Sequence, residues 1–297
     1  MHDHAKTEAR QLRRALILTA AFLLVEVTGG FLANSLALLS DAGHMFIDAL
    51  ALSIALVAYR QASRPRDPQH TFGYRRLEVV AALVNGALLL WIAGVIAEEA
   101  WDRWNEGAVL KSGLMLGVAV VGLAVNLVGL GMLRHHHHDD LNMRGAFLHV
   151  LGDTISSVGT IIAALVIRFT GWVRADAVAS FLISLLILVG GVRLVLESLH
   201  YLMEGAPREI QIPELMSCLR EHPGVLEVHD LHVWRISSGM DILTAHVVLE
   251  QAVESGPLRS AMRTLLRERF GLQHVTLEIE GPEERDDPLH RRGICGP

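Results

Sequence analysis

Two pairs of ionisable side chains lie inside long apolar stretches of this sequence, where charge is costly. His44 stands four residues before Asp48 in one stretch, and His149 stands four residues before Asp153 in another. Residues four apart share one face of a helix, so each stretch presents an imidazole beside a carboxylate. Two imidazole nitrogens and two carboxylate oxygens form a donor set that suits a tetrahedral Zn²⁺ ion.

The charge of these groups indicates what such a site does. An ionised Asp at the centre of a bilayer costs about 2.5–3.5 kcal/mol even on the lenient insertion scale. Two carboxylates that face one dication are neutralised by it, and protons are the available replacement when the metal leaves. Imidazole must be neutral to bind metal and is protonated near roughly pH 6–7. Metal and protons should therefore compete for one site, which is the chemistry of an antiporter.

A second interpretation of the same residues is that they only form hydrogen bonds between packed helices, as His and Asp can do within membranes. A single His and Asp pair would not separate the two interpretations. The identical spacing in two separate stretches favours the metal site.

The elements that would position this site are apolar segments long enough to cross a membrane. Of the 297 residues 51% are hydrophobic, and a bilayer core of ~30 Å needs ~20 apolar residues per helix. We therefore predict an all-α membrane domain with six transmembrane helices over 15–204, preceded by a cytoplasmic segment over 1–14. The net charge of −6 and the lack of a basic stripe argue against nucleic-acid binding. The apolar stretches are 15–37, 40–60, 77–101, 112–134, 145–168 and 175–200.

Lys and Arg are distributed unequally between the loops. The N-terminal segment and the loops after the second and fourth stretches are rich in them, whereas the opposite loops hold few. Cytoplasmic loops carry such an excess, so we expect both termini in the cytoplasm. Cys218 and Cys295 form no CxxC pair, which fits a reducing, cytosol-facing location.

The pattern changes after Gly205. IPELMSCLREH has the spacing of an amphipathic helix, VLEVHDLHVWRIS and MDILTAHVVLE alternate as strands, and a helix over 256–270 precedes a last strand, HVTLEIE. This order predicts a cytoplasmic α+β domain over 205–283 with helices on one face of its sheet. The tail over 284–297 is expected to be irregular.

Four segments of the sequence resemble the cation diffusion facilitator family, in particular its bacterial and vesicular zinc exporters. LLSDAGHMFIDALAL resembles the motif of the second span, and FLHVLGDTISSVG resembles that of the fifth. RPRDPQHTFGYRRLEVVAAL resembles the loop into the third span, and GAP followed by VHDLHVW resembles the junction to the cytoplasmic domain. The resemblance covers nearly the whole chain. It implies a homodimer in the inner or plasma membrane of a bacterium, proton-coupled export of Zn²⁺, and a ferredoxin-like, metallochaperone-like C-terminal domain.

The resemblance also implies further metal sites outside the membrane. In the cytoplasmic domain it indicates His229, His246 and Glu280, with His274 as another candidate, although His and Glu on strands are often merely solvated. The tail residues His290 and Cys295 could complete that site. The internal run from His135 to His138 either gathers metal or is a solvated loop.

A loop site and a hinge are indicated by the same resemblance. Asp67 and His70 match a loop position that binds a second metal in some members, but Tyr74 stands where that site has a further His. The alternative is a plain turn, which Asp-Pro initiates well. Arg76 and Glu204 match a charged pair at the hinge between the two domains.

Two other classes of zinc protein are less consistent with these residues. A metallohydrolase keeps three protein ligands and an open water position, whereas the matched quartet leaves none and no H-E-x-x-H or G-x-S-x-G occurs. A metal sensor needs no site at membrane depth. We therefore predict a transporter rather than an enzyme, working by alternating access. The ligand types favour Zn²⁺ and leave Cd²⁺, Co²⁺, Ni²⁺ and Fe²⁺ open.

Overall fold

The chain forms two compact units, Met1–Leu199 and His200–Pro297. The division lies inside one helix, a few residues before the domain boundary expected at 204. The computed structural model describes residues 2–33, 36–106, 112–133, 141–172, 174–237, 239–251 and 253–283.

The described part of the N-terminal unit is helical, and each helix covers most of one predicted apolar stretch. The first helix begins ahead of its stretch because the preceding charged segment contains neither Gly nor Pro and continues as helix. Pro65 and Pro68 fall in the loop after the second helix, where no backbone donor is needed. The helices are α1 His2–Ala33, α2 Leu36–Ala62, α3 Arg76–Glu106, α4 Ser112–Leu133, α5 Leu141–Thr170 and α6 Ala175–Leu202.

Several of these helices are long and apolar enough to cross a membrane. Among the described residues four qualify, and Val120–Leu133 is a shorter apolar helix. The expectation of a helical membrane domain is thus confirmed, while the number of six spans stays a prediction. The four segments are Met45–Ala62, Arg76–Asn105, Met143–Thr170 and Ala177–Leu202.

Helices α1, α2, α4 and α5 share one buried apolar cluster. Each contributes a fully or nearly fully buried side chain, for example Leu12 of α1, Leu52 of α2, Leu133 of α4 and Val150 of α5. This packing sets the rotation of α2 and α5 about their axes. It therefore decides which of their faces meet.

Close contacts at glycines join α6 to α3 and α5. A Cβ atom added at Gly86 of α3 would stand 2.8 Å from Cγ2 of Val195, and one at Gly159 of α5 would stand 2.6 Å from Cδ1 of Ile183. Small residues allow helix backbones to approach in this way in membranes. The Ser184 hydroxyl of α6 also donates to the carbonyl of Ala93 in α3, at 2.8 Å.

The C-terminal unit has the predicted order of helix, strand, strand, helix and strand. Its elements are α7 Ile212–Arg220, β1 Val225–Ser237, β2 Met240–Leu249, α8 Ser255–Phe270 and β3 His274–Glu280. β1 pairs antiparallel with β2, and β2 pairs parallel with β3 after the crossover through α8. The core lies between the helices and the sheet, where Leu215 of α7 and Met262 of α8 are 0% exposed. The α+β expectation is confirmed.

The described sheet differs in two ways from a complete ferredoxin-like sheet. It has three strands in the order β1-β2-β3, and it lacks the first strand of the βαββαβ pattern. β1 also carries an extra residue, because His229 pairs with His246 whereas His232 pairs with Thr244. Asp230 accommodates this bulge with a φ of 49°. Bulges redirect side chains and occur often beside functional sites.

Candidate metal centres

The first candidate centre joins α2 to α5 in the membrane unit. Nε2 of His149 on α5 lies 2.7 Å from Oδ1 of Asp48 on α2. Asp153, one turn after His149, contributes a third donor, and one ligand atom of each residue lies within 4.8 Å of the others. The His149 side chain is 2% exposed and that of Asp48 is 17% exposed. Three of the four predicted ligands are thus brought together at one buried point.

The fourth predicted ligand, His44, lies in α2 one turn before Asp48. Its side chain is outside the described part of the chain, so its role as a ligand stays a prediction.

A cavity adjoins the three donors. The carboxylates of Asp48 and Asp153 both face it, together with Thr19 and Asn126, so these two donors share a space that α1, α2, α4 and α5 enclose. The lining residues are Ala15, Leu18, Thr19, Met45, Asp48, Leu52, Val125, Asn126, Gly129, Val150 and Asp153.

A short polar chain runs from α4 to the backbone of α5 beside this centre. The Asn126 amide donates to the Ser157 hydroxyl at 3.5 Å, and that hydroxyl donates to the carbonyl of Asp153 at 2.9 Å. Asn126 is therefore linked by hydrogen bonds to the helix that carries two of the ligands.

The second candidate centre lies on the sheet of the C-terminal unit. Oε1 of Glu280 on β3 is 2.5 Å from Nδ1 of His246 on β2, and Oε2 of Glu280 is 3.2 Å from Nε2 of His229 on β1. The Glu280 side chain is 1% exposed, and the two imidazole rings are 5.2 Å apart at their centroids. One carboxylate thus holds two imidazoles, and all three residues are close enough to share a metal ion.

Two acidic residues extend this centre on the solvent side. Nε2 of His246 lies 3.5 Å from Glu278 and 3.8 Å from Asp230, and Nε2 of His232 lies 3.0 Å from Asp230. Asp230 was not among the predicted ligands; the bulge that turns it toward the histidines is not visible in the alternation of the strand. His274, at the start of β3, is not a member of the three-residue cluster.

The loop pair Asp67 and His70 lies together, but the carboxylate is already saturated with hydrogen bonds. Oδ2 of Asp67 accepts from the Tyr74 hydroxyl at 2.6 Å, and Oδ1 accepts from the backbone amides of Gln69 and His70 at 2.9 and 2.7 Å. Nδ1 of His70 is 3.1 Å from Oδ1. The hydrogen bond from Tyr74 is the main cause that lowers the pKa of Asp67 to about 2.

The remaining predicted site residues are either outside the described residues or in separate units. His290, Cys295 and the run 135–138 fall outside the described residues. Arg76 begins α3 in the first unit, and Glu204 follows α6 in the second with a φ of 62°. Their pairing stays a prediction.

Two polar networks were not expected from the sequence. The Arg144 guanidinium of α5 donates to Glu197 of α6 at 2.5 Å. Arg235 of β1 contacts Asp241 of β2 and the hydroxyl of Tyr201 in the last turn of α6. In the sequence Arg144 contributes only to the positive charge near the loop after the fourth apolar stretch. No periodic pattern links it to Glu197, which lies 53 positions away.

Comparison with known proteins gives matches over most of the chain. The family model of the cation efflux transmembrane domain matches residues 12–203, and that of the cytoplasmic domain of cation efflux proteins matches residues 207–282. Metal cation efflux system protein CzcD of Cupriavidus metallidurans is 41% identical over 96% of this chain and 91% of that protein. Zinc transporter ZitB of Escherichia coli is 41% identical over 94% and 92%. A Bacillus subtilis protein named cadmium, cobalt and zinc/H(+)-K(+) antiporter is 36% identical over 96% and 94%.

Proposed function

We propose that this chain, which belongs to the cation efflux family, exports a divalent metal ion, foremost Zn²⁺, from the cytoplasm in exchange for protons. The observation that carries the proposal is the approach of Asp48 on α2 to His149 on α5, whose donor atoms are 2.7 Å apart. In this proposal the metal is the substrate, held by His44, Asp48, His149 and Asp153.

The choice of metal rests on the donors and on the relatives. Imidazole nitrogen with carboxylate oxygen suits Zn²⁺ better than metals that prefer oxygen alone. The relative from Escherichia coli is named for zinc, and that from Bacillus subtilis for cadmium, cobalt and zinc. We therefore include Cd²⁺ and Co²⁺ as secondary substrates.

Proton exchange follows from the charges in the cavity. Asp48 and Asp153 line one cavity and lie close to the buried imidazole of His149, and two bare carboxylates there would be costly without a cation. Protons from the opposite side of the membrane neutralise them after the metal leaves. Metal release and protonation are then two halves of one cycle, as an antiporter requires.

The path of the metal across the bilayer needs alternating access to the buried donors. We propose six transmembrane helices with both termini in the cytoplasm, which agrees with the distribution of Lys and Arg. The four ligands are shared between α2 and α5, so relative motion of these two helices would open the site to one side or the other.

The second centre is proposed to bind metal for regulation rather than for passage. Glu280 between His229 and His246 supplies one oxygen and two nitrogens to a cation. This centre lies on the sheet of the cytoplasmic domain, and the family match supports a homodimer assembled through that domain. Metal held there would bias the transport cycle from outside the membrane.

Reconstitution of the full-length protein in vesicles tests the proposal. Vesicles with an acidic interior should take up external Zn²⁺, reported by an enclosed fluorescent indicator, and should stop when the pH gradient is collapsed. Asp48→Asn should reduce the initial rate of Zn²⁺ uptake at least about 10-fold. Loss of a ligand should impair metal binding at least as much as loss of a residue that only supports a ligand. Asp102→Asn, the same change at an exposed position of α3, serves as the control. Zinc binding without uptake would replace export by a sensor role.

A further inference from the structure

Several polar contacts hold the last turn of α6 within the C-terminal unit. α6 runs without a break from Ala175 to Leu202, and its final residues belong to the C-terminal unit. The helix ends in a tight turn in which the Gly205 amide donates to the carbonyl of His200 at 2.8 Å and that of Glu204 donates to Tyr201 at 3.2 Å. These are the two bonds of a Schellman motif.

This turn is held in one conformation by side chains as well. Nε2 of His200 lies 2.8 Å from the carbonyl oxygen of Ala206, and a Cβ atom at Gly205 would overlap the His200 ring. Glu204 adopts a φ of 62°, which a residue with a side chain rarely adopts unless its surroundings require it. The conformation of residues 200–206 is therefore held by several contacts within the C-terminal unit.

Arg235 connects this turn to the hairpin of β1 and β2. Its Nε and Nη2 donate to the two oxygens of Asp241 on β2, at 2.6 and 3.0 Å. Its Nη1 donates to the hydroxyl of Tyr201 at 3.2 Å, and Nη2 also reaches Glu209 in the linker at 3.3 Å. The guanidinium lies over the Tyr201 ring at 5.4 Å. These four residues are called the Arg235 clasp.

The chemistry of arginine explains why this residue can make the clasp. Its planar guanidinium donates two hydrogen bonds to one carboxylate and has further N–H groups for other acceptors. The ammonium of lysine carries all its donors on a single nitrogen and cannot reproduce this geometry. Tyr201 is 3% exposed, and the side chains of Arg235 and Asp241 are 18% and 16% exposed. The contacts to Tyr201 and Asp241 are thus shielded from water, and the hydrogen bond to Asp241 raises the pKa of Arg235 further above its ordinary value.

The same hairpin carries two ligands of the second candidate centre. His229 pairs with His246 in the register of β1 and β2, and Arg235 pairs with Asp241 toward the turn of the hairpin. The second candidate centre and the Arg235 clasp therefore share one pair of strands.

We propose that Arg235 is a positioning residue for transport, which couples the β1–β2 hairpin to the end of α6 through Tyr201. The inference rests on the proposed export of zinc, since coupling is useful only to a chain whose membrane helices move. Arg235 touches neither candidate centre directly. Its loss should therefore change transport without changing metal binding.

The test uses full-length Arg235→Gln with Arg259→Gln, an exposed arginine of α8, as the matched control. In vesicles Arg235→Gln should lower the maximal rate of Zn²⁺ uptake about 5-fold or more, the lower end of typical coupling between sites. The Zn²⁺ concentration at half-maximal rate and the affinity of the cytoplasmic centre should stay within about 2-fold of the parent. Hydrogen exchange of the amides at 203–206 should quicken roughly tenfold, because hydrogen bonds to a charged group are lost.

Two further variants separate positioning from general stability. Arg235→Lys keeps the positive charge but loses the planar guanidinium, so it should also raise the rate of amide hydrogen exchange at 203–206. This variant takes the place of Arg235→Gln if that protein does not fold. Tyr201→Phe should act in the same direction, with no further loss when it is combined with Arg235→Gln. The proposal would be overturned if Zn²⁺ uptake and amide exchange in Arg235→Gln equalled those of the parent. It would also be overturned if uptake fell together with the zinc affinity of the cytoplasmic centre, or if the control Arg259→Gln lowered uptake to the same extent. If the parent protein itself takes up no zinc, the export proposal fails. Amide hydrogen exchange at 203–206 then decides by itself whether the Arg235 clasp stabilises the end of α6.

Discussion

Nε2 of His149 lies 2.7 Å from Oδ1 of Asp48, although the two residues are separated by 101 positions in the chain. The contact joins α5 to α2 and gives the membrane unit its candidate centre. Because ligand atoms of Asp48, His149 and Asp153 all lie within 4.8 Å of one another, removal of any one donor should change the affinity for metal.

His149→Gln tests the nitrogen donor of this centre. Glutamine retains a polar side chain of similar length but offers an amide instead of an imidazole, so zinc affinity should fall at least about 10-fold. Equilibrium titration with Zn²⁺ in detergent measures this. His222→Gln, a histidine outside both clusters, is the control. Equal affinity in His149→Gln and the parent would remove this residue from the ligand set.

Removal of His229 tests the second centre. Glu280 would then retain one imidazole, that of His246, at 2.5 Å. His229→Ala should abolish one class of zinc sites per chain while the intramembrane class remains, as measured by stoichiometric titration of the full-length protein. Metal and protons compete for the imidazole nitrogens, so the affinity of this class should fall as the pH is lowered. The idea fails if the stoichiometry of His229→Ala equals that of the parent.

The ion pair between Arg144 and Glu197 is expected to stabilise the contact between α5 and α6. The side chains are 38% and 17% exposed, so they are partly shielded from water. Glu197→Gln should lower the free energy of unfolding by about 1 kcal/mol, because the neutral amide still accepts from Arg144 but makes a weaker hydrogen bond than the carboxylate. The double exchange Arg144→Glu with Glu197→Arg should recover part of this loss. Thermal unfolding in detergent provides the measurement, and no recovery would indicate that the charges do not interact.

The acidity of Asp67 depends on Tyr74. With its pKa lowered from 3.8 to about 2, the ionised carboxylate stabilises the folded loop above about pH 4, and this contribution is lost as the pH falls through about 2. Tyr74→Phe removes the largest cause, so the pKa of Asp67 should rise toward 3.8. Carboxyl chemical shifts followed against pH by NMR measure it. His70→Ala removes a smaller cause and should have a smaller effect.

Tyr74 should also keep the loop from binding metal tightly. Its hydroxyl occupies Oδ2 of Asp67, and the ring stacks against that of His70 at 4.3 Å. Tyr74→His would remove this hydrogen bond and place an imidazole nitrogen beside Asp67 and His70. The loop would then offer three possible metal ligands. Zinc stoichiometry should then rise by one ion per chain relative to the parent. An unchanged stoichiometry in Tyr74→His would show that the loop geometry itself prevents binding.

Local patterns in the sequence predicted the elements and the pairing of residues within one element. The spacing of His149 and Asp153 puts both on one face of α5 by helical periodicity alone, and the alternation of HVTLEIE predicts β3 with its observed limits. The apolar stretches predict the helices of the membrane unit in the same way. The motifs also identified the family, which the matches to both domains confirm.

Contacts between elements depended on the tertiary structure. The meeting of Asp48 with His149, the placing of Glu280 between two imidazoles, and the reach of Arg235 to Tyr201 each require the rotation or register of two separate elements. Periodicity fixes which residues share a face, but the face that meets a neighbour is decided by the packing of many apolar side chains at once. The bulge at Asp230 shows the same dependence, since one unpaired residue redirects a side chain without altering the sequence pattern.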